Sequence, residues 1–496
     1  MSEEITQDTA PQGGISWKQG LLIAMGVPIL IVPSIADLSI ELWAMSILIW
    51  VLSVISGFFL NLNLGEMCAT FRTSGIAGSI QYIYTDDEKY KNSKINKGRL
   101  IGAIGAWSYF MAWVTVIPIF TIIAAEYLIS NFSVFDGMSY WTKIGFYALV
   151  GILMYAFIIF TGRNGLESGA KVQLIFAIFT IVPIVVISLA PLLTGDFHMN
   201  IITGEFTPDG WKWDGNGILM VLGCLTIAQW SAVGWETAAA YGPSYKEPAK
   251  DVPKALMSCG IACLVLYFLI AFCIYGALGI VGIEANGSNS LIAVAENSFG
   301  QLAGTISCIL LIVGMVMIVQ TAFLGASQTI KSMADDGNFP AALRKTNSKG
   351  VPIAAMYAEV FISIVLIVSG VTASQILAVC GFSYALCHMM CQLAFLKSRK
   401  DPRFASVERV YKVPNFLYYS SYAVIVFEIL LMIGIVYYIY EVYGLLYATF
   451  GPLFILLFVP VWYYIQVNNH AKHPEIPCGV NFTDSDGTDK NNSASR

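Results

Sequence analysis

Apolar residues fall into twelve runs along the chain, at roughly 19–38, 43–66, 100–130, 142–161, 169–193, 216–243, 253–281, 302–331, 352–371, 375–396, 416–440 and 445–466. Most are separated by short polar connections, with longer ones at 67–99, 194–215 and 282–301. About twenty helical residues at about 1.5 Å each cross the hydrocarbon core of a bilayer. The pattern therefore predicts an all-α polytopic membrane protein with 12 transmembrane helices.

Composition excludes a soluble multidomain chain. Of the 496 residues 57% are hydrophobic and 12% charged, with a mean hydropathy of +0.69. The net charge of −5 matters less than where the cations sit, because Lys and Arg accumulate in cytoplasmic loops. With the N-terminus inside, every one of the 27 Lys and Arg except Lys143 and Lys212 falls on the cytoplasmic side. The protein is thus expected in the plasma membrane, multi-pass, with both termini in the cytoplasm. No cleavable signal peptide is evident, since residues 1–18 are polar and the first apolar run outlasts a signal h-region.

The domain reading is a cytoplasmic tail at 1–18, a ten-helix core at 19–396, a basic cytoplasmic loop at 397–415, helices eleven and twelve at 416–466, and a polar tail at 467–496. That tail is expected to be disordered or loosely attached. The 85–99 and 397–412 segments read as solvated faces. Eight of the cysteines, including Cys224, Cys308 and Cys387, sit within apolar runs, where Cys acts as a small hydrophobe. Cys387, His388 and Cys391 have no second pair at zinc-site spacing. No metal or cofactor is expected, and no nucleophile–base set or phosphate loop suggests an enzyme.

Two runs depart from regular helix. The sixth loses regularity at Trp230-Ser231-Ala232-Val233-Gly234-Trp235 and carries Glu236 there; the first contains Gly26-Val27-Pro28 and then Pro33. Proline removes a backbone donor and glycine weakens helix. Freed backbone groups at membrane depth are tolerated where they line a cavity or meet a ligand. One interruption opens each five-helix half, 1–5 and 6–10, and an odd number of spans per half inverts the second. This is a 5+5 inverted repeat with a midplane substrate site. An ionised acid near the bilayer centre costs roughly 2.5 kcal/mol or more, which makes Glu236 the proton-coupling candidate.

These residues resemble the amino acid–polyamine–organocation (APC) permeases. The sixth-helix signature appears as Gly234, Glu236, Pro248, Lys250, Pro253 and Ala255, and a second motif as Ala334-Asp335-Asp336-Gly337, Pro340 and Gly350-Val351-Pro352. Glu66-Met67, Gly75–Tyr82, Asn164-Gly165 and Tyr411-Lys412-Val413-Pro414 extend the match over nearly the whole chain. Helices one, six and eight are most similar to the arginine/agmatine-type and glutamate/GABA-type exchangers. The resemblance implies a LeuT-like fold, alternating access, and a small-molecule amino acid or amine held by the exposed backbone of helices one and six. It implies gating by Tyr109, Trp230, Ser231 and Glu236. No nucleic-acid partner is implied, and monomer and homodimer stay open.

The departures from the family narrow the site. Val27 replaces a serine of the family's Gly-Ser-Gly, so backbone N–H groups around Pro28 to Leu30, less the one proline lacks, would hold a carboxylate. Ala322 stands where arginine exchangers stack an aromatic ring on the guanidinium, which removes a cation–π contact of about 2 kcal/mol. Thr180 stands where several proton-coupled relatives carry a lysine. The expectation is an exchanger, with a proton symporter and a non-transporting sensor on the same fold as rivals. Glu126 is expected to snorkel at the outer end of helix three, and Glu428 to pair in packing or at a dimer contact. Glu359 and His388 are unassigned proton or substrate candidates.

Overall fold

The computed structural model describes residues 15–24, 26–73, 75–85, 95–163, 181–240 and 245–480. Thr180, Asn164-Gly165 and the end of the sixth-run loop at 241–244 lie outside them.

Among the described residues, nine helices are long and apolar enough to cross a membrane, and Ile181–Thr194 and Ile353–Val368 are shorter apolar helices. The first span is broken into Trp17–Ala24, a 3₁₀ turn at Val27–Ile31, and Ile35–Leu42. The second is Ser46–Phe71, and a short helix, Gly75–Thr85, follows it. The third is divided at Thr115 into Lys97–Val114 and Val116–Asn131, an interruption the apolar run does not reveal. The fourth is Tyr140–Gly162, and Ile181–Thr194 is the described part of the fifth. The sixth comprises Gly215–Ala232, a 3₁₀ turn at Gly234–Glu236, and Thr237–Ala240. The remaining spans are Pro248–Asn286, Gln301–Asp335, Ile353–Val368, Ala373–Lys400, Asn415–Tyr443 and Leu445–Lys472.

Local chemistry sets several ends. Asp214 accepts from the amides of Asn216 and Gly217 to start the sixth span. Thr372 and Gln375 form a capping box at the start of the tenth, and Lys397, Arg399 and Lys400 occupy its last turn. These placements satisfy orphan helix-end groups and complement the helix dipole. The third span is almost wholly buried, whereas the fourth, eleventh and twelfth expose most of their length. The apolar surface of those three therefore faces lipid, and the sixth span meets the third in the interior, through Trp230 and Glu236.

Two expectations about the polar segments fail. The 397–412 loop is not merely a solvated face. Arg399 and Arg409 both bond the carboxylate of Glu66, which is fully buried on the second span. Arg409 Nη1 and Arg399 Nε each lie 2.8 Å from Glu66 Oε1, and the Val413 amide donates to Oε2 at 2.7 Å. Arg403 donates to the Ile83 carbonyl at 2.8 Å. A carboxylate removed from water needs partners for its oxygens, and the loop supplies them. The tail is also not loose as far as Val480. Gly479 donates to Gln466 Oε1 at 2.7 Å, and Asn96 donates to the Gly479 carbonyl at 2.8 Å. All ten cysteines are free thiols.

Candidate substrate site at the two helix breaks

The breaks of the first and sixth spans meet. Gly234 packs directly against the first break: a Cβ there would stand 3.1 Å from Leu30 Cδ1 and 3.5 Å from Val27 Cγ1. Absence of a side chain is what allows the two interrupted backbones to approach. Gly26 is close in turn to Met317 of the eighth span, whose methyl would lie 3.0 Å from an added Cβ. Gly26, Val27, Ser231, Ala232, Val233 and Gly234 are all buried.

A helix broken inside a membrane frees carbonyls that must find donors, and side chains supply them here. Tyr267, fully buried on the seventh span, sets its hydroxyl between the Val27 carbonyl, 3.0 Å away, and the Ser231 carbonyl, its single proton shared between them. One phenol thus caps both breaks. Asn61 of the second span donates to the Val233 carbonyl at 3.3 Å, and Thr237 to that of Gly234 at 3.0 Å. Ser34 and Ser231 join the breaks directly, their hydroxyl oxygens 2.7 Å apart.

The gating candidates occupy the wall made by the third and tenth spans. Trp230 donates its indole N–H to the Ala112 carbonyl at 3.2 Å. Glu236 is fully buried and accepts from Trp113 Nε1 at 3.3 Å. Tyr384 of the tenth span sets its hydroxyl against the same carboxyl, although the two face each other without a well-formed hydrogen bond. Tyr109 packs near Trp113, with ring centroids 6.3 Å apart, and lies within electrostatic reach of Tyr384. Tyr109, Trp230 and Glu236 therefore converge. Ala322 is buried further along the eighth span than Met317, and Met317 is the residue of that span seen against the first break.

Sequence reasoning missed Tyr267, Trp113, Asn61, Ser34 and Tyr384. Tyr267 carried a usable signal, a hydroxyl in the middle of the apolar run LVLYFLIAF. Nothing local marked the others, because their role depends on which carbonyl lies opposite.

The unassigned acids separate. Glu126 is met by the Tyr147 hydroxyl at 3.5 Å. Glu359 is fully buried, and neither oxygen has a partner among the described residues. Its neighbour one turn on, Ser363, belongs to a hydroxyl chain with Tyr155 at 2.5 Å and Thr121 beyond it at 2.8 Å. His388 stacks against Tyr384 with centroids 4.1 Å apart. Glu428 pairs inside the molecule, with Gln229.

A family model described as amino acid permease matches residues 15–477. An amino-acid permease of Candida albicans is 23% identical over 363 residues, 68% of this chain and 56% of its own. A serine/threonine exchanger of Bacillus subtilis is 24% identical over 235 residues, 47% of this chain and 51% of its own. A probable GABA permease of Pseudomonas aeruginosa is 24% identical over 326 residues, 61% of this chain and 64% of its own. The chain thus spans between about half and two thirds of the length of these three relatives.

Proposed function

Since the chain belongs to the amino acid permease family, we propose that it moves an amino acid or related amine across the plasma membrane by alternating access, as an exchanger. One observation carries the reading. The breaks of the first and sixth spans meet in the interior, and their freed carbonyls are capped by Tyr267, Asn61 and Thr237. With those acceptors occupied, the Val27 N–H at the first break and the N–H groups at the start of the second half of the sixth span are the polar groups suited to a substrate carboxylate, since Pro28 has no N–H and that of Ile29 donates to the Gly26 carbonyl. Gly26, Val27, Pro28, Ser231, Ala232, Val233 and Gly234 form the floor of this site, Tyr109, Trp230 and Glu236 its gate, and Ala322 part of the side-chain pocket. The ten-helix core at 19–396 is the moving unit, and the termini lie in the cytoplasm.

Exchange is favoured by likeness to a relative named as a serine/threonine exchanger. Proton symport is the second reading, favoured by the buried carboxyl of Glu236 at the break. Uptake into proteoliposomes preloaded with a panel of amino acids and amines separates the two. Exchange requires internal substrate. Flux that ignores internal substrate and needs a pH gradient establishes symport instead, and ligand binding without flux in either condition identifies a sensor.

A further inference from the structure

Glu428 lies on the eleventh span, outside the ten-helix core, and is fully buried. Gln229 Nε2 donates to its Oε1 at 2.7 Å. The other ends of these two planar groups, Glu428 Oε2 and Gln229 Oε1, have no partner among the described residues. If the carboxyl is ionised, both orphan atoms are acceptors, and neither can satisfy the other. A single proton resolves both. Bound at Oε2, it donates to Gln229 Oε1 and closes a two-bond pair between a neutral acid and an amide.

We propose that Glu428 is a proton-binding site, held as a neutral acid by Gln229 and coupled through it to the break of the sixth span. Among the described residues, no counter-charge faces Glu428. Gln229 and Thr226 of the sixth span are neutral, and Thr226 donates to the Leu431 carbonyl at 2.9 Å. The second span presents Asn63, which donates to Ser421 at 3.0 Å and to Gln392 of the tenth span at 2.9 Å. The tenth span also brings the Cys387 thiol within electrostatic reach of Glu428 and of Glu236. His388 follows Cys387 and stacks on Tyr384. Beyond Gln229 come Trp230, bonded to the third span, and Ser231, bonded to Ser34 and Tyr267. Release of the proton would leave one hydrogen bond and a bare charge, loosening the outer half of the sixth span from the eleventh.

The consequence for transport rests on the reading above, but the proton site is tested without flux. Infrared spectra of the purified full-length protein, taken in H₂O and D₂O, separate protonated carboxyl bands from carboxylate bands. Glu428→Gln, isosteric with the neutral acid, is expected to lose one protonated-carboxyl band at neutral pH. Loss of a carboxylate band instead overturns the proposal. Gln229→Leu should shift the same band to higher frequency, because the acid loses its amide partner; an unmoved band overturns the pairing, and this variant decides the matter if Glu428→Gln does not fold. Absence of flux with the infrared result intact would refute the transporter reading and leave the proton site standing.

Discussion

Ser34 and Ser231, 197 positions apart in the chain, bring their hydroxyl oxygens to 2.7 Å of each other deep in the molecule. Each belongs to an interrupted span, so this contact ties two halves of the fold at the place where neither is a continuous helix. Tyr267 reinforces it from the seventh span by sharing its hydroxyl proton between the Val27 and Ser231 carbonyls.

Tyr267→Phe should remove the donor for two buried carbonyls without changing the ring packing. Leaving a buried acceptor unmet costs about 1–3 kcal/mol, so a lowered midpoint in thermal unfolding in detergent is expected, with a loss of flux. A midpoint equal to the parent's would show that the clasp contributes nothing.

Gly234→Val should wedge the breaks apart, because its Cβ already meets Leu30 and its methyls have no room beside Val27. Substrate affinity in a binding assay should fall sharply. Gly26→Ala faces only the mobile methyl of Met317 and should be much milder. Equal effects of the two would count against close packing of the first break on Gly234.

Glu66→Ala would leave Arg399 and Arg409 with no carboxylate between them. Breaking a buried ion pair from one side costs about 3–5 kcal/mol. The variant is expected to unfold at markedly lower temperature, with the 402–414 segment becoming susceptible to protease at neutral pH. Resistance equal to the parent's would refute the clamp.

Asp401, at the end of the tenth span, gives an acid-sensitive counterpart. Hydrogen bonds from the Arg403 guanidinium hold its carboxyl well below its ordinary value of 3.8, with Lys397 helping. A group lowered on folding contributes its stabilisation fully above the unfolded value, and that contribution is lost as pH falls through the folded one. Cleavage of the parent loop by an acid protease should therefore rise only below about pH 4. Asp401→Asn should show the same loosening at neutral pH, and an unchanged digestion profile would exclude the role.

Glu236→Gln should flatten the pH dependence of flux while altering substrate affinity less, since Trp113 can still donate to the remaining carbonyl oxygen. A pH profile that matches the parent's would remove Glu236 from any proton role.

Much of the architecture was legible in the chain because a bilayer imposes a one-dimensional rule. Runs long enough to span, cations on one side of them, and Gly-Pro or Ser-to-Gly interruptions all appear without knowledge of any contact. The division of the third span at Thr115 carries a signal in Pro118, which lacks the N–H that would bond the Val114 carbonyl, but the run VTVIPIF is otherwise apolar enough to read as one helix. The 397–412 loop misled for a related reason. Its basic residues look solvated until the buried Glu66, more than three hundred positions away, is placed beneath them.

The sequence alone determined that this chain is an all-helical membrane protein, where its spans fall, and that the first and sixth are broken. It also singled out Glu236, because an acid in an apolar run stands out by its cost. Only the tertiary structure decided what the breaks touch: Tyr267 capping both, Ser34 meeting Ser231, Trp113 reaching Glu236, and Gln229 holding Glu428. Span boundaries follow from the solvent, which acts on each residue locally. Hydrogen-bond partners follow from which backbone groups the packed helices leave unmet, and that is settled only when distant segments come together.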